Sequence, residues 1–456
     1  MRISYALSLS LAALTAVAAY AAPSHPAQAA SAPPAAAPFA GLPDTEPDDP
    51  FYRHEGPFTG RHGALLDSRK LEGPAALSHA SRNDLVLYES KGVRADEEIA
   101  VSGIVALPDR TKHPVPEGGY PVVSWAHGTV GVADKCAPSM DSEQLADPAR
   151  PDDPMHTHRK INLAPQPMLN AFLDKGWAVV MTDYQGSGTK GPHPYLNGKA
   201  EGRGVLDIVR AARELHNSEE RLLSDEFTIV GHSQGGHAAL FAGSYAPTWT
   251  PELKLRGVAP IAPASYQGGK AFQFPGLWAL RALTGDLASN TPFLAMAVAG
   301  AAAEHPELDV DGIFTARGRE LYAQDVASKC RAELSAKDSF GGNGAFGTRK
   351  ALFAGSALTR APEVLRKHFA DSHPDLPIAA PVRMSQAKGD TRVESGKTDS
   401  LVTELKKRNG TSRMTYVTYE KGEVATPDPA ELGEHFGILT TDIAPLTAWL
   451  AERLAK

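Results

Sequence analysis

Cysteine is scarce in this chain: Cys136 and Cys330 are the only two among 456 residues. So few exclude a dense disulfide scaffold, although in an exported chain an even count favours one bridge over two separately buried thiols. An excess of positive charge is missing as well. Lys and Arg number 46 against 53 Asp and Glu, a formal net charge of -7, and no long basic run occurs. Nucleic-acid binding as the main role is excluded on that ground, since affinity for a phosphate backbone depends on clustered cations. After the first 21 residues no apolar run has the length of a transmembrane helix, and no internal repeat is found.

What is present starts with an address. Arg2 precedes the apolar run "ALSLSLAALTAVAAYA", which ends in the small-x-small sequence Ala19-Tyr20-Ala21. Charge, hydrophobic stretch and cleavage site in that order predict a secretory signal peptide over 1–21; a membrane anchor is the alternative. Residues 22–50 are dominated by Ala and Pro. Such a segment cannot offset the entropy of ordering by apolar burial, so a flexible leader is expected. A secreted or periplasmic protein follows, with no transmembrane segment left after cleavage.

Beyond the leader, strand-like and helix-like segments alternate. Strand character is found at 98–108, 120–128, 177–184 and 226–231, and helical character at 167–176 and 204–216. On the latter, Val205, Ile208, Val209, Ala212 and Leu215 fall on one face. Short apolar strands between amphipathic helices predict an α/β fold with a mainly parallel sheet covered on both faces. The alternation stops between about Tyr266 and Ala380, where helical spacing dominates, and resumes at "PVRMSQAKGD". The expected layout is therefore a core over 51–265, a helical cap or lid over 266–380, and the rest of the core over 381–456.

The stretch "EFTIVGHSQGGHAALFAG" carries Gly231-x-Ser233-x-Gly235 between strand-like and helix-like residues. This is the form of a nucleophile elbow, in which small flanking residues let a sharp turn lift the serine hydroxyl above the sheet. The pattern alone is weak, since a chain this rich in Gly and Ser produces it by chance; its place between strand and helix strengthens it. A serine needs an imidazole base, and the base needs a carboxylate to fix its tautomer. In this motif's fold the order is serine, acid, histidine. Asp390 follows a strand, with Asp399 or Asp428 as alternatives, and His435 follows the next strand. His368 and His373 precede the acid and break the order. His232 and His237 are expected to be packing or pocket-wall residues. Gly128 and Thr129, in a His-Gly turn after a strand, and the backbone N–H of Gln234 are the expected oxyanion donors. His156 and His158 point only faintly to a metal, because no third ligand sits at a recognisable spacing.

The motifs "WAHGT", "CAPS", "WAVVMTDYQGSG", "GHSQGG", "KGDTRV" and "EHFG", with a long helical insertion containing the second cysteine, occur in one order. In this the chain resembles the secretory lipase family, which includes Candida antarctica lipase A and its bacterial relatives. The resemblance covers most of the chain from about residue 90. It implies an α/β-hydrolase fold with a cap between nucleophile and acid, and cleavage of carboxylic esters. By matching motifs it also implies Ser233 as nucleophile, Asp390 as acid, His435 as base, and a Cys136–Cys330 bridge from core to cap. The oxyanion loop reads His-Gly-Thr where the fungal member has an acidic residue.

The function expected is acyl transfer through Ser233 to water, with no cofactor and an ester or lipid as substrate. Phe272, Phe274, Leu277, Trp278 and Leu280 in the insertion would bind acyl chains, touch a lipid surface transiently, or form the cap's own core. A peptidase or amidase, an acyltransferase, and a catalytically silent binding protein are the rival readings.

Overall fold

In the computed structural model the described residues are 42, 47–94, 97–142, 162–265, 291–310, 312–336, 338–340, 363–427 and 432–454. The expected signal peptide, nearly all of the leader, His156, His158, the aromatic stretch at 272–280 and Asp428 lie outside them.

Nine strands make one sheet: β1 (Leu65–Lys70), β2 (Arg82–Lys91), β3 (Glu98–Leu107), β4 (Tyr120–Ala126), β5 (Ala178–Thr182), β6 (Leu223–His232), β7 (Lys254–Ile261), β8 (Val382–Ala387) and β9 (Met414–Tyr419), in the order β1-β2-β3-β5-β4-β6-β7-β8-β9. The first three strands and the β3–β5 pair run antiparallel. From β5 to β9 every pair is parallel, so the sheet is mainly parallel. Among the described residues the helices of eight residues or more are α1 (Gln166–Leu173), α2 (Gly198–His216), α3 (Gln234–Trp249), α4 (Thr291–Glu304), α5 (Glu363–Asp371), α6 (Ser395–Asn409), α7 (Gly433–Thr441) and α8 (Ile443–Leu454). This is the α/β-hydrolase arrangement.

Alternate side chains of each strand enter opposite layers. In β4, Tyr120, Val122 and Ala126 join the cluster under α2, α3 and α6, while Val123 and Trp125 join the one under α1, α7 and α8. Val205, Ile208, Val209 and Ala212 are fully buried, as the helical spacing requires. A third cluster joins α4, α5 and residues between them to Val132, Tyr195 and Leu196; Ala295, Met296, Tyr322 and Phe369 belong to it.

The N-terminal antiparallel pair is invisible to apolar periodicity. Asp84, Glu89 and Ser90 interrupt the pattern of β2 yet are buried, and other residues bind them: Arg82 and His216 for Asp84, Thr59 for one oxygen of Glu89, Asp207 for Ser90. β7 is masked by Gly257 and Pro260. At Gly257 an added Cβ would stand 2.7 Å from the Trp449 ring, so α8 packs directly on this strand's backbone.

Candidate active site

The chain order places β5 on one side of β4 and β6 on the other. At such a reversal the carboxyl ends of adjacent parallel strands leave a crevice, which in open α/β sheets collects functional groups. Ser233 stands there, between β6 and α3, with φ 59° and ψ -116°. Side chains rarely adopt that backbone, and a strained conformation is retained where a turn is over-determined by its surroundings. The determinants are the two flanking glycines. A Cβ on Gly231 would stand 2.1 Å from the Gly235 carbonyl oxygen, and one on Gly235 would stand 1.8 Å from that of Ala126. The Ser233 N–H donates to Ile261 O (2.9 Å), and its carbonyl accepts from His237 N–H (3.1 Å) and Ala264 N–H (2.9 Å).

Asp390 and His435 are in direct contact. The His435 Nδ1–H donates to Asp390 Oδ2 at 2.6 Å, and both side chains are buried. Asp390 Oδ1 accepts from the N–H groups of Arg392 (2.8 Å) and Val393 (3.0 Å), and Gln386 Nε2 donates to Oδ2 (3.2 Å). Burial alone would raise the Asp390 carboxyl, but His435 and these donors hold it below the usual carboxylate range. His435 lies within the first turn of α7, ahead of the last helix. No hydrogen bond among the described residues joins its ring to the Ser233 hydroxyl. The two are linked through His232, whose Nε2–H donates to His435 O (2.7 Å) and whose ring lies 4.5 Å from that of His435. Catalytic hydrogen bonds in ligand-free sites are commonly long and tighten with substrate.

The rival residues are committed elsewhere. Asp399 is on α6, bound by Lys388 and by the Tyr416 hydroxyl. His368 pairs with Glu304, and His373 with Glu404. Burial, then the charge of His435, depresses His232 well below the usual histidine range.

The expected oxyanion donors flank Ser233. Gln234 opens α3, ahead of the first intrahelical bond, so its N–H has no helical acceptor. A Cβ on Gly128 would stand 3.5 Å from Ser233 Cβ, which puts this loop against the serine. The Thr129 hydroxyl is hydrogen-bonded to Tyr195 Oη (2.8 Å). His127 Nδ1–H donates to Gly128 O (2.7 Å); burial depresses this histidine to about 4. Cys136 and Cys330 are joined by a disulfide, Cα to Cα 5.5 Å.

Sequence reasoning missed what stands behind the donors. Glu201, fully buried on α2, accepts from Gln234 Nε2 (2.7 Å) and Leu196 N–H (2.8 Å), and faces His237 Nδ1 (3.0 Å). The His237 Nε2–H donates to Ser372 O (2.8 Å). His237 is thus part of a buried network rather than a plain packing residue. A signal existed: Glu201 lies four residues before Val205, on the helix's apolar face, where an acid needs a buried partner. Asp183 in the "DYQGSG" turn is structural; it accepts from Ser102 and Ser139, and burial raises it to about 6.

Comparison with known proteins adds the following. The sequence profile of the Secretory lipase family matches residues 163–456. The chain is 26% identical over 283 residues to lipase A of Moesziomyces aphidis, covering 61% of this chain and 54% of that lipase. It is 26% identical over 260 residues to a protein of Mycobacterium tuberculosis named a probable inactive lipase, covering 55% and 51%. The chain thus spans about half the length of these curated relatives. Its fold is similar to that of a rice cell wall degrading esterase from Xanthomonas oryzae, with TM-score 0.62, 18% identity, and 86% of this chain and 100% of that one covered. Candida antarctica lipase A in its closed state matches with TM-score 0.60 and 20% identity over 84% and 82%.

Proposed function

Because this chain belongs to the secretory lipase family, we propose that it is an exported carboxylic-ester hydrolase working through an acyl-enzyme on Ser233. His435 takes the Ser233 proton as the hydroxyl attacks the ester carbonyl. Asp390 holds the imidazole in the Nε2-basic tautomer and stabilises the imidazolium. The Gln234 N–H and the Gly128–Thr129 loop receive the oxyanion. His435 then returns the proton to the leaving alcohol and activates the water that releases the acid.

The observation that carries this reading is the 2.6 Å contact of buried His435 and Asp390 beside a serine in a strained turn. The residues at 1–21, read as a signal peptide, and a family named for secretion support export. Among the described residues no helix is long and apolar enough to cross a membrane. The test is hydrolysis of p-nitrophenyl esters from acetate to palmitate by the wild type and Ser233→Ala. The variant should lose at least about a thousandfold in kcat, as removal of a triad member does. Full activity in the variant would refute the assignment. The name of the mycobacterial relative favours a second reading, a silent hydrolase fold. Labelling of Ser233 by a fluorophosphonate separates the two: a silent protein stays unlabelled.

A further inference from the structure

Arg331 follows Cys330 in the segment between β7 and β8, and three links tie it to the oxyanion loop. The disulfide to Cys136 is one, the isolated bridge of Gly131 with Cys330 is the second, and the Arg331 N–H to Val130 O hydrogen bond (2.7 Å) is the third. Its side chain is 2% exposed, yet neither Nε nor Nη2 has a hydrogen-bond partner. These two atoms form one edge of the guanidinium, a planar fork matching the two oxygens of a carboxylate.

A second cation approaches from the histidine side. Arg392, two residues after Asp390, lies with its guanidinium 5.1 Å from the centre of the Phe436 ring, next to His435. It forms no ion pair among the described residues. Burial, with the charge of Arg392 and against the influence of Tyr195, depresses Arg331 well below the usual guanidinium range. A guanidinium does not shed its proton at working pH, so an anion is the remaining relief. Arg331 is anchored on the oxyanion side of Ser233 and Arg392 on its histidine side, yet each lies within the other's field. Val130, whose carbonyl accepts from Arg331 N–H, is two residues from Gly128, which lies against Ser233.

We propose that Arg331, assisted by Arg392, forms an anion-binding subsite beside Ser233, and that the natural substrate is an acidic ester carrying a carboxylate within a few bonds of the scissile carbonyl. This deepens the ester-hydrolase reading and rests on it. The carboxylate takes the Nε–Nη2 fork of Arg331, and Arg392 adds field from the opposite side.

The experiment compares acidic esters with their methyl-capped neutral analogues on the full chain. One pair, mono-p-nitrophenyl glutarate and its methyl ester, places the carboxylate on the acyl side. The other, 4-acetoxybenzoate and its methyl ester, places it on the alcohol side. In the wild type at least one acidic member should exceed its neutral analogue about tenfold in kcat/KM. Arg331→Met should erase that ratio through KM, and Arg392→Met should reduce it. Should Arg331→Met fail to fold, Arg331→Lys, which keeps charge but loses the fork, should lower the ratio, and free glutarate should slow fluorophosphonate labelling of the wild type. A wild-type preference for the neutral esters, or a ratio unchanged in the Arg331 variants, overturns the proposal. An equal fall in kcat on both members of a pair also overturns it, because the guanidinium would then serve the shared oxyanion. If Ser233→Ala remains active on every ester, the hydrolase reading itself fails instead.

Discussion

Two buried guanidinium groups, Arg383 under the sheet and Arg331 in the segment between β7 and β8, are treated in opposite ways. Under the sheet, Arg383 meets Asp442 through two hydrogen bonds of 2.8 and 2.6 Å, and the Tyr419 hydroxyl adds a third donor to Asp442. Glu201 accepts from Gln234 Nε2 and Leu196 N–H and has the His237 ring beside it. Arg331, equally enclosed, has an empty fork. Desolvating a charge is costly wherever it occurs, so a satisfied pair reports on the fold, and an unsatisfied group needs a separate account. Asp183 is an intermediate case: it has donors from Ser102 and Ser139 but no ion pair among the described residues.

Four changes would break or sharpen this contrast. The largest effect is expected from Arg383→Met, which strands Asp442 in the interior and should cost about 3–5 kcal/mol in denaturant unfolding. Arg331→Met, by contrast, should leave the midpoint unchanged or raise it; an equal loss in both would show that Arg331 has a structural partner. Next comes Asp183. Its folded value of about 6 lies above the ordinary 3.8, so the native state holds the proton longer than the unfolded chain does. Stability from this group is therefore greatest below about pH 4 and falls as pH rises towards 6, by roughly 3 kcal/mol at most. Asp183→Asn should gain on the wild type across that window, measured as the difference in unfolding free energy at pH 4 and 7. Parallel curves would contradict a destabilised carboxylate. The smallest effect is expected from Gln234→Ala, which keeps the backbone donor but frees it from Glu201. It should lower kcat about tenfold with KM little changed, since small displacements of a preorganised donor weaken only the transition state. A change in KM alone would mean that the Glu201 network shapes substrate binding instead.

Much of the core was legible because its signals are local. The face of α2 and the parallel half of the sheet follow from apolar spacing. The elbow was legible for the same reason: two glycines at fixed offsets from a serine are needed wherever a strand folds back onto its own helix. β2 was not legible, because its buried Asp84 and Glu89 are satisfied by residues far along the chain. Nor was the helical setting of His435, since "GEHFG" offers no periodicity long enough to mark α7.

What the sequence determined by itself is the order of chemistry along the chain: a serine at a strand-to-helix corner, then an acid, then a histidine, each after a strand. Residue types and short spacings carry that information. The tertiary structure alone decided which distant groups share a dry space. It brought Asp390 to 2.6 Å from His435, enclosed Glu201 behind Gln234, and left the edge of Arg331 empty. A charge has no cost in the sequence. It acquires one only when the fold removes water, and the fold then decides whether a partner from elsewhere in the chain meets it.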